Sequence, residues 1–156
     1  MAIKKTIQLT ADGKARLEEE LRELSTEELP DLKSRIQVAT EEGDISDNSE
    51  YEDLKETYMQ IESRIRELEQ TLERAEVIAE GSVDGSIGLG SHVTVRSDDG
   101  ETETWVLVSP EEASAADGRY STESPIGRAL LGKRAEATVS VKTPGGEIVY
   151  SVVDVK

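Results

Sequence analysis

The sequence predicts an α+β protein, in which an N-terminal helical hairpin precedes a small antiparallel β-sheet domain with one short helix. A heptad pattern of apolar residues runs from Tyr51 to Ala79 in steps of three and four. A linker follows at 80–86, and beyond it apolar residues alternate in short runs typical of strands. We therefore expect two domains, residues 1–80 and residues 81–156.

The first arm of the hairpin begins at Thr10 and carries leucines spaced by four and three residues, up to Leu24. This spacing places them on one face of a helix. Pro30 lacks a backbone donor and clashes with the preceding turn, so we expect a break or kink near Leu29. The apolar pattern then resumes and continues to about Glu42.

The returning helix is predicted over 51–79, where no Pro or Gly interrupts the pattern. At ~1.5 Å per residue its length is on the order of 45 Å. Two helices joined by so few residues fold back antiparallel, so the segment from Gly43 to Tyr51 forms the tip of the hairpin. Gly43 ends the first helix, and Asn48 is a candidate cap of the second.

The C-terminal part has turn signals at Asp98–Gly100 and at Pro144–Gly146, each between two alternating runs. This pattern predicts antiparallel hairpins. A short helix is predicted from its cap Ser124, through Pro125 at the first helical position, to Gly132 at its end. A small sheet with one helix packed on it fits this order of elements.

The composition excludes several classes of function. The chain has 34 acidic and 18 basic residues, a net charge of −16 and no cysteine. Autonomous DNA or RNA binding depends on Lys and Arg, and anionic membranes repel such a chain, so neither is expected. Disulfides and thiolate metal sites are excluded, and no signal peptide or membrane span is recognisable. We expect a soluble cytoplasmic protein whose partner is a basic protein surface or bound metal.

Asp44 and Asp47 at the predicted tip are the candidate metal ligands. Carboxylate oxygens without His or Cys suit Mg²⁺ or Mn²⁺. Two exposed carboxylates do not complete an octahedral site, so a partner has to supply the remaining ligands. The alternative is a solvated turn of an acidic chain, without a function. The single histidine, His92, offers no Ser–His pair for a hydrolytic triad.

Several stretches together resemble one known family, the Gre transcript-cleavage factors of bacterial RNA polymerase, and its GreA branch in particular. The tip is similar to the family signature Gly-Asp-Leu-x-Glu-Asn-x-Glu-Tyr. The matching stretches cover nearly the whole chain in the right order, and they are Leu9–Gly13, Leu17–Leu21, Glu42–Tyr51, Glu62–Ile65, Leu72–Ile78, Ser124–Lys133 and Thr143–Glu147.

The resemblance implies an N-terminal antiparallel coiled coil and a C-terminal domain of the FKBP-like fold. It implies a monomer that docks at the rim of the polymerase's secondary channel, with the coil reaching the active centre. There the tip carboxylates help to hold a Mg²⁺ ion shared with the polymerase. The polymerase itself then cleaves the 3′ end of backtracked RNA, which rescues arrested complexes, so the factor is not an enzyme.

The family motif also assigns individual residues. Asp44 matches the first tip acid, and Asp47 stands where the family usually has Glu. Lys55 replaces a frequent Arg and is the candidate basic residue near the RNA. The residues expected to shape the tip are Gly43, Asn48, Glu50 and Tyr51. The residues expected to dock on the polymerase are Ser124, Pro125, Ile126, Gly127 and Arg128.

Two alternatives remain open. A Gre-fold regulator could occupy the same channel and inhibit transcription, or fail to stimulate cleavage, although the acidic tip here keeps the cleavage-factor pattern. A prolyl isomerase would fit an FKBP-like domain. It requires an aromatic-lined pocket, and the aromatic residues of this domain are Trp105, Tyr120 and Tyr150.

Overall fold

A computed structural model describes residues 5–41 and 49–156, except for the side chain of Ser49. In these ranges the α-helices are α1 (Ala11–Glu23), α2 (Leu29–Glu41), α3 (Ser49–Glu73) and α4 (Pro125–Leu130). The strands are β1 (Ile7–Thr10), β2 (Ala75–Ile78), β3 (His92–Ser97), β4 (Thr102–Val108), β5 (Arg119–Ser121), β6 (Thr138–Thr143) and β7 (Gly146–Val155). The predicted α+β class is confirmed.

By compactness the chain divides into two units. One is the helical unit Ala15–Arg74, and the other combines Met1–Lys14 with Ala75–Lys156. The second unit therefore contains β1 and β2 as well as the larger sheet. The predicted boundary at residue 80 stays a prediction. None of the helices in the described ranges combines the length and the apolar composition of a membrane span.

The heptad pattern accounts for α3 but not for the residues after it. The buried or half-buried residues of α3 include the predicted apolar positions, which are Tyr51, Leu54, Tyr58, Ile61, Ile65, Leu68 and Leu72. The helix ends at Glu73, so the predicted extension to Ala79 is wrong. Ala75–Ile78 instead forms β2, which pairs in parallel with Ile7–Thr10. Periodicity within one segment cannot reveal this distant partner.

The irregularity predicted before Pro30 takes the form of a π-helical turn. Leu24–Glu28 adopts this wider turn, and the amide of Leu29 donates to the carbonyl of Leu24, five residues back. Pro30 cannot donate a backbone hydrogen bond, and its ring crowds the carbonyl of the preceding turn. Because the π-turn widens the helix at this point, the chain passes from α1 to α2 without leaving the helical path.

A bidentate ion pair between Arg64 and Glu20 joins α1 to α3 inside the helical unit. The guanidinium of Arg64 donates from Nε to Oε1 of Glu20 at 3.0 Å and from Nη2 to Oε2 at 2.7 Å. Hydrogen bonding to Glu20 raises the pKa of Arg64 above its ordinary value. A parallel pair of hydrogen bonds fixes orientation as well as distance, so this contact helps to set the register of the two helices.

The Arg64–Glu20 pair should contribute a small but measurable free energy to the stability of the fold. The side chains of Arg64 and Glu20 are 37% and 39% exposed, so water screens their attraction. We expect a double-mutant cycle with Arg64→Ala and Glu20→Ala to give a coupling free energy of about 0.5–1 kcal/mol in urea unfolding. The more exposed Arg35–Asp31 pair on α2 serves as the control and should give about 0.3 kcal/mol. Equal couplings would show that the bidentate geometry adds nothing.

The larger sheet has five strands in the order β5-β4-β3-β7-β6. Its pairs are antiparallel, as predicted, except that β5 lies parallel to β4 at one edge. Short 3₁₀ turns at Pro110–Glu112 and Ala115–Asp117 carry the chain back along β4, so that β5 pairs with its last three residues, from Val106 to Val108. A strand reached by such a crossover runs in the same direction as its neighbour, so the predicted all-antiparallel sheet becomes a mixed sheet.

The core of the sheet unit lies where α4 covers one sheet face. Trp105 is 3% exposed, and its ring lies edge-on to Tyr120 at 4.9 Å and to Tyr150 at 5.0 Å between centroids. Burial raises the pKa of Tyr120, and the charge of Glu103 adds to this effect. The buried residues of this core are Ile87, Val93, Val95, Trp105, Leu107, Leu130, Val139 and Val152.

Candidate functional site

The candidate tip is the segment between α2 and α3, and the structure describes the end of α2 and the start of α3. α2 ends at Glu41, and α3 begins at Ser49. The predicted metal ligands Asp44 and Asp47, and the predicted tip-shaping residues Gly43 and Asn48, lie outside the described residues. Their roles stay predictions. Across 5–41 and 49–156, no group of three or more His, Asp or Glu side chains could hold a metal ion.

The first turns of α3 place a cation next to this tip segment. Glu50 lies in the first turn, where a carboxylate favours the positive end of the helix dipole. Four residues separate Tyr51 from Lys55, and the ammonium of Lys55 lies 5.3 Å from the centroid of the Tyr51 ring. This distance is within the range of a cation–π contact. The charge of Lys55 is therefore directed back towards the N-terminal end of α3.

Other cations of the helical unit are engaged with carboxylates, among them Arg22, which lies 2.7 Å from Glu19. Arg64 holds Glu20 across the hairpin, and Arg35 lies 3.1 Å from Asp31, four residues earlier on α2. Arg64 is therefore engaged in a contact between α1 and α3. In contrast, the side chain of Lys55 stays exposed while it contacts Tyr51.

The predicted docking segment divides into residues that build α4 and residues that face solvent. Ser124 caps the helix by accepting the amide of Gly127 at 3.0 Å. Gly127 is buried, and a Cβ there would lie 1.9 Å from the carbonyl oxygen of Ser121. Ile126 is half-buried against the core. Pro125 and Arg128 are exposed, so these two of the five predicted residues can reach a partner without any rearrangement.

Sequence reasoning missed a buried carboxylate that holds the start of α1. The side chain of Glu112 is 2% exposed. Its Oε1 accepts the amide of Thr10 at 2.8 Å, and its Oε2 accepts the Thr10 hydroxyl at 2.6 Å. Arg119 binds the same carboxylate and also Asp12 in the first turn of α1. We call Thr10, Asp12, Gly13, Glu112 and Arg119 the α1 clamp.

Gly13 makes room for this clamp. Thr10 is the N-cap of α1, and its hydroxyl accepts the amide of Gly13 at 3.0 Å. In a capping box the third helical residue carries the Glu that returns to the N-cap amide. Here that residue is Gly13, and Glu112 takes over the role from 102 positions away. The sequence offered one sign of this contact, which is the glycine in the first turn of α1. Glycine lowers helix stability, so its presence there indicates that another group occupies the space a side chain would fill.

The aromatic residues and the histidine of the sheet unit have identifiable partners among the described residues. Tyr120 and Tyr150 each lie edge-on to Trp105, whose indole is buried in the core. The Nε1 of Trp105 donates to Glu103 at 2.9 Å. His92 is partly exposed, and its Nε2 lies 3.4 Å from a carboxylate oxygen of Glu80. These contacts explain the residues as packing and surface groups.

Comparison with known proteins gives the same family over both parts of the chain. Residues 82–156 match the family described as "Transcription elongation factor, GreA/GreB, C-term", and residues 7–77 match "Transcription elongation factor, N-terminal". Transcription elongation factor GreA of Chloroflexus aurantiacus is 49% identical over 150 residues, covering 95% of this chain and 96% of that protein. GreA of Bacillus subtilis is 38% identical over 156 residues, covering 99% of both.

Among solved structures, the chain is similar to the GreA factor homolog 1 (Gfh1) protein of Thermus thermophilus. The two are 35% identical, the match covers 97% of this chain and 99% of that one, and the TM-score is 0.47.

Proposed function

Because this chain belongs to the GreA/GreB family of transcription elongation factors, we propose that it stimulates RNA cleavage by bacterial RNA polymerase. The family predicted from the motifs is thereby confirmed. In this proposal the protein acts in the cytoplasm as a monomer and enters the secondary channel of the polymerase. It is an accessory factor, and the polymerase performs the chemistry.

The observation that carries the proposal is the acidic segment between α2 and α3. Its residues Asp44 and Asp47 keep the acidic pattern of cleavage factors, and two helices flank it. α3 is 25 residues long, about 37 Å at 1.5 Å per residue, which is sufficient to carry a tip deep into a channel. The helical unit holds 19 acidic and 8 basic residues, so it suits a channel with basic walls.

The donor set of the tip fits a hard divalent cation. Asp44 and Asp47 offer carboxylate oxygens, and the polymerase would supply the other ligands. A Mg²⁺ ion held by these carboxylates would act together with the polymerase's own ion, and the pair would supply the activation of water and the stabilisation of the leaving oxygen that phosphodiester hydrolysis needs. Glu50 and Tyr51 shape the N-terminal end of α3, which follows these acids in the sequence. Lys55, held against Tyr51 at 5.3 Å, offers a positive charge to the phosphates of the RNA 3′ end.

A transcript-cleavage assay on stalled elongation complexes of the cognate polymerase tests the proposal. The protein should speed the release of short 3′ fragments at least roughly tenfold over polymerase alone, a barrier reduction of roughly 1.4 kcal/mol. Arrested complexes should then resume elongation. Slower elongation without released fragments would instead establish the inhibitory channel-binding regulator. Cleavage of RNA by the protein without polymerase would show that it is an enzyme in its own right.

A further inference from the structure

A surface cavity of the sheet unit lies between β4, β5 and the 3₁₀ turn that precedes β5. We call it the β4–β5 cavity. Its volume is about 380 Å³, and it is lined by residues 103–105, residues 115–118 and Tyr120. The charged residues among these are Glu103 and Asp117, and both are acidic. A cavity with this lining favours a cation and repels an anion.

The carboxylate of Glu103 is held in place by the indole of Trp105. The two residues are two positions apart on β4, so their side chains lie on the same face of the sheet. The Nε1 of Trp105 donates to Oε2 of Glu103 at 2.9 Å, and Trp105 itself is 3% exposed. No Lys or Arg of the described ranges forms an ion pair with Glu103. Its negative charge and its remaining lone pairs are therefore left for a ligand.

The hydroxyl of Tyr120 is a second acceptor at this cavity. The Tyr120 ring lies edge-on to Trp105, but its hydroxyl forms no hydrogen bond with another described residue. No buried polar side-chain atom of the described residues lacks a partner, so this hydroxyl is accessible from outside. Burial raises the pKa of Tyr120, and the charge of Glu103 raises it further. The carboxylate and the hydroxyl are thus close enough to interact.

Gly118 keeps the cavity open towards the indole. Its φ of 71° is left-handed, a conformation that glycine adopts without steric cost. A Cβ at this position would lie 3.1 Å from the carbonyl oxygen of Thr104 and 3.8 Å from Cδ1 of Trp105. A side chain here would therefore fill part of the space next to Trp105.

We propose that the β4–β5 cavity binds the guanidinium group of a ligand. The N–H groups of the cation donate to the Glu103 carboxylate and to the Tyr120 hydroxyl, and its flat face contacts the tyrosine ring. A hard metal ion requires more oxygen ligands, and no group of three or more Asp, Glu or His side chains in the described ranges could hold one. The inference goes beyond the proposed function, because these residues lie outside the acidic tip.

Titration of the full-length protein with methylguanidinium chloride tests the inference. The fluorescence of Trp105, the single tryptophan, reports binding, and NaCl at equal ionic strength gives the baseline. We expect a saturable change with half-saturation on the order of 1 mM, since water screens the exposed carboxylate. Tetramethylammonium carries the same charge without an N–H donor, so it should bind at least about tenfold more weakly.

Three variants separate the cavity from the general charge of the protein. Glu103→Gln keeps an oxygen for the indole N–H and removes the charge, so it should weaken binding at least about tenfold. Tyr120→Phe keeps the ring and removes the hydroxyl, which should weaken binding about fivefold. Glu101→Gln is the matched control, because it removes the same charge from an exposed residue outside the lining. It should bind within about twofold of wild type.

A further ligand distinguishes the source of the cation. Binding of N-acetyl-arginine amide within about threefold of methylguanidinium would show that an arginine side chain can supply the group. Its exclusion, with methylguanidinium still bound, would identify a free guanidinium compound as the ligand.

Three results would overturn the inference. They are the absence of a saturable change in wild type, an equal loss of binding in Glu101→Gln and Glu103→Gln, and equal binding of tetramethylammonium. The titration contains no polymerase, so its outcome is independent of whether the protein stimulates RNA cleavage.

Discussion

Gly13→Ala should lower the free energy of unfolding by about 3 kcal/mol, although alanine normally favours a helix over glycine. A Cβ at this position would lie 2.0 Å from the Cδ of Glu112 and 2.1 Å from its Oε1. Gly13 has ordinary helical geometry, so backbone strain does not contribute. The buried carboxylate of Glu112 would have to move and lose its bonds to Thr10. The steric and hydrogen-bond losses together exceed the gain in helix propensity.

Urea unfolding measures this effect. The fluorescence of Trp105, the single tryptophan, reports the sheet unit, and circular dichroism at the helix band reports the helices. Gly88→Ala is the matched control, since a Cβ at Gly88 meets nothing within 4 Å and its φ is not positive. The control should change stability by less than about 0.5 kcal/mol. A neutral or stabilising Gly13→Ala would contradict the close approach of Glu112.

A double-mutant cycle tests whether Glu112 is the group that a Cβ at position 13 would meet. Glu112→Ala alone should cost about 3 kcal/mol, because it leaves the buried amide of Thr10 without its acceptor and Arg119 without one of its two carboxylates. In that background Gly13→Ala should be neutral, or stabilise by up to about 1 kcal/mol as an ordinary glycine-to-alanine change in a helix. An equal cost of Gly13→Ala in both backgrounds would show that Glu112 is not what the new methyl group meets.

The elements that were predicted correctly are those that depend on interactions between residues close together in the sequence. The heptad positions of α3 from Tyr51 to Leu72 are buried or half-buried as expected. Ser124 caps α4 as expected, because a cap and the amide that it accepts are three residues apart. The hairpin around Asp98–Gly100 joins β3 to β4. In each case the local pattern and the tertiary structure favour the same conformation.

The elements that the sequence did not predict depend on distant partners. Ala75–Ile78 continues the helical spacing of α3, yet it pairs with β1, which lies 68 positions away. Glu112 stands in a polar stretch that gives no sign of burial, yet it caps a helix that starts near residue 10. Arg64 resembles any surface cation of a coiled coil until Glu20 is placed opposite it. Such contacts become visible only when the fold brings the two segments together.

Asp44→Ala and Asp47→Ala should each remove most of the stimulation and return the cleavage rate in stalled complexes to nearly that of polymerase alone, since catalysis falls steeply when a positioning group is lost or displaced by ~1 Å. Binding to the polymerase should stay within about twofold, because the predicted docking contacts lie on α4. Glu56→Ala, at an exposed acidic position on α3, removes the same charge and should leave cleavage within about twofold. An equal loss with Glu56→Ala would assign the effect to the overall charge of the hairpin.

Asp47→Glu keeps the carboxylate at the tip and lengthens its side chain. The added methylene extends the carboxylate by about 1.3 Å and restores the side chain that the family usually carries at this position. If Asp47 reaches the shared metal only by bending the tip, the variant should cleave several-fold faster than wild type at the same polymerase affinity. If the segment is instead built around the shorter acid, Asp47→Glu should cleave more slowly while Asp47→Ala still abolishes stimulation. Cleavage at the wild-type rate by both Asp47→Glu and Asp47→Ala would mean that the carboxylate at this position takes no part in the reaction.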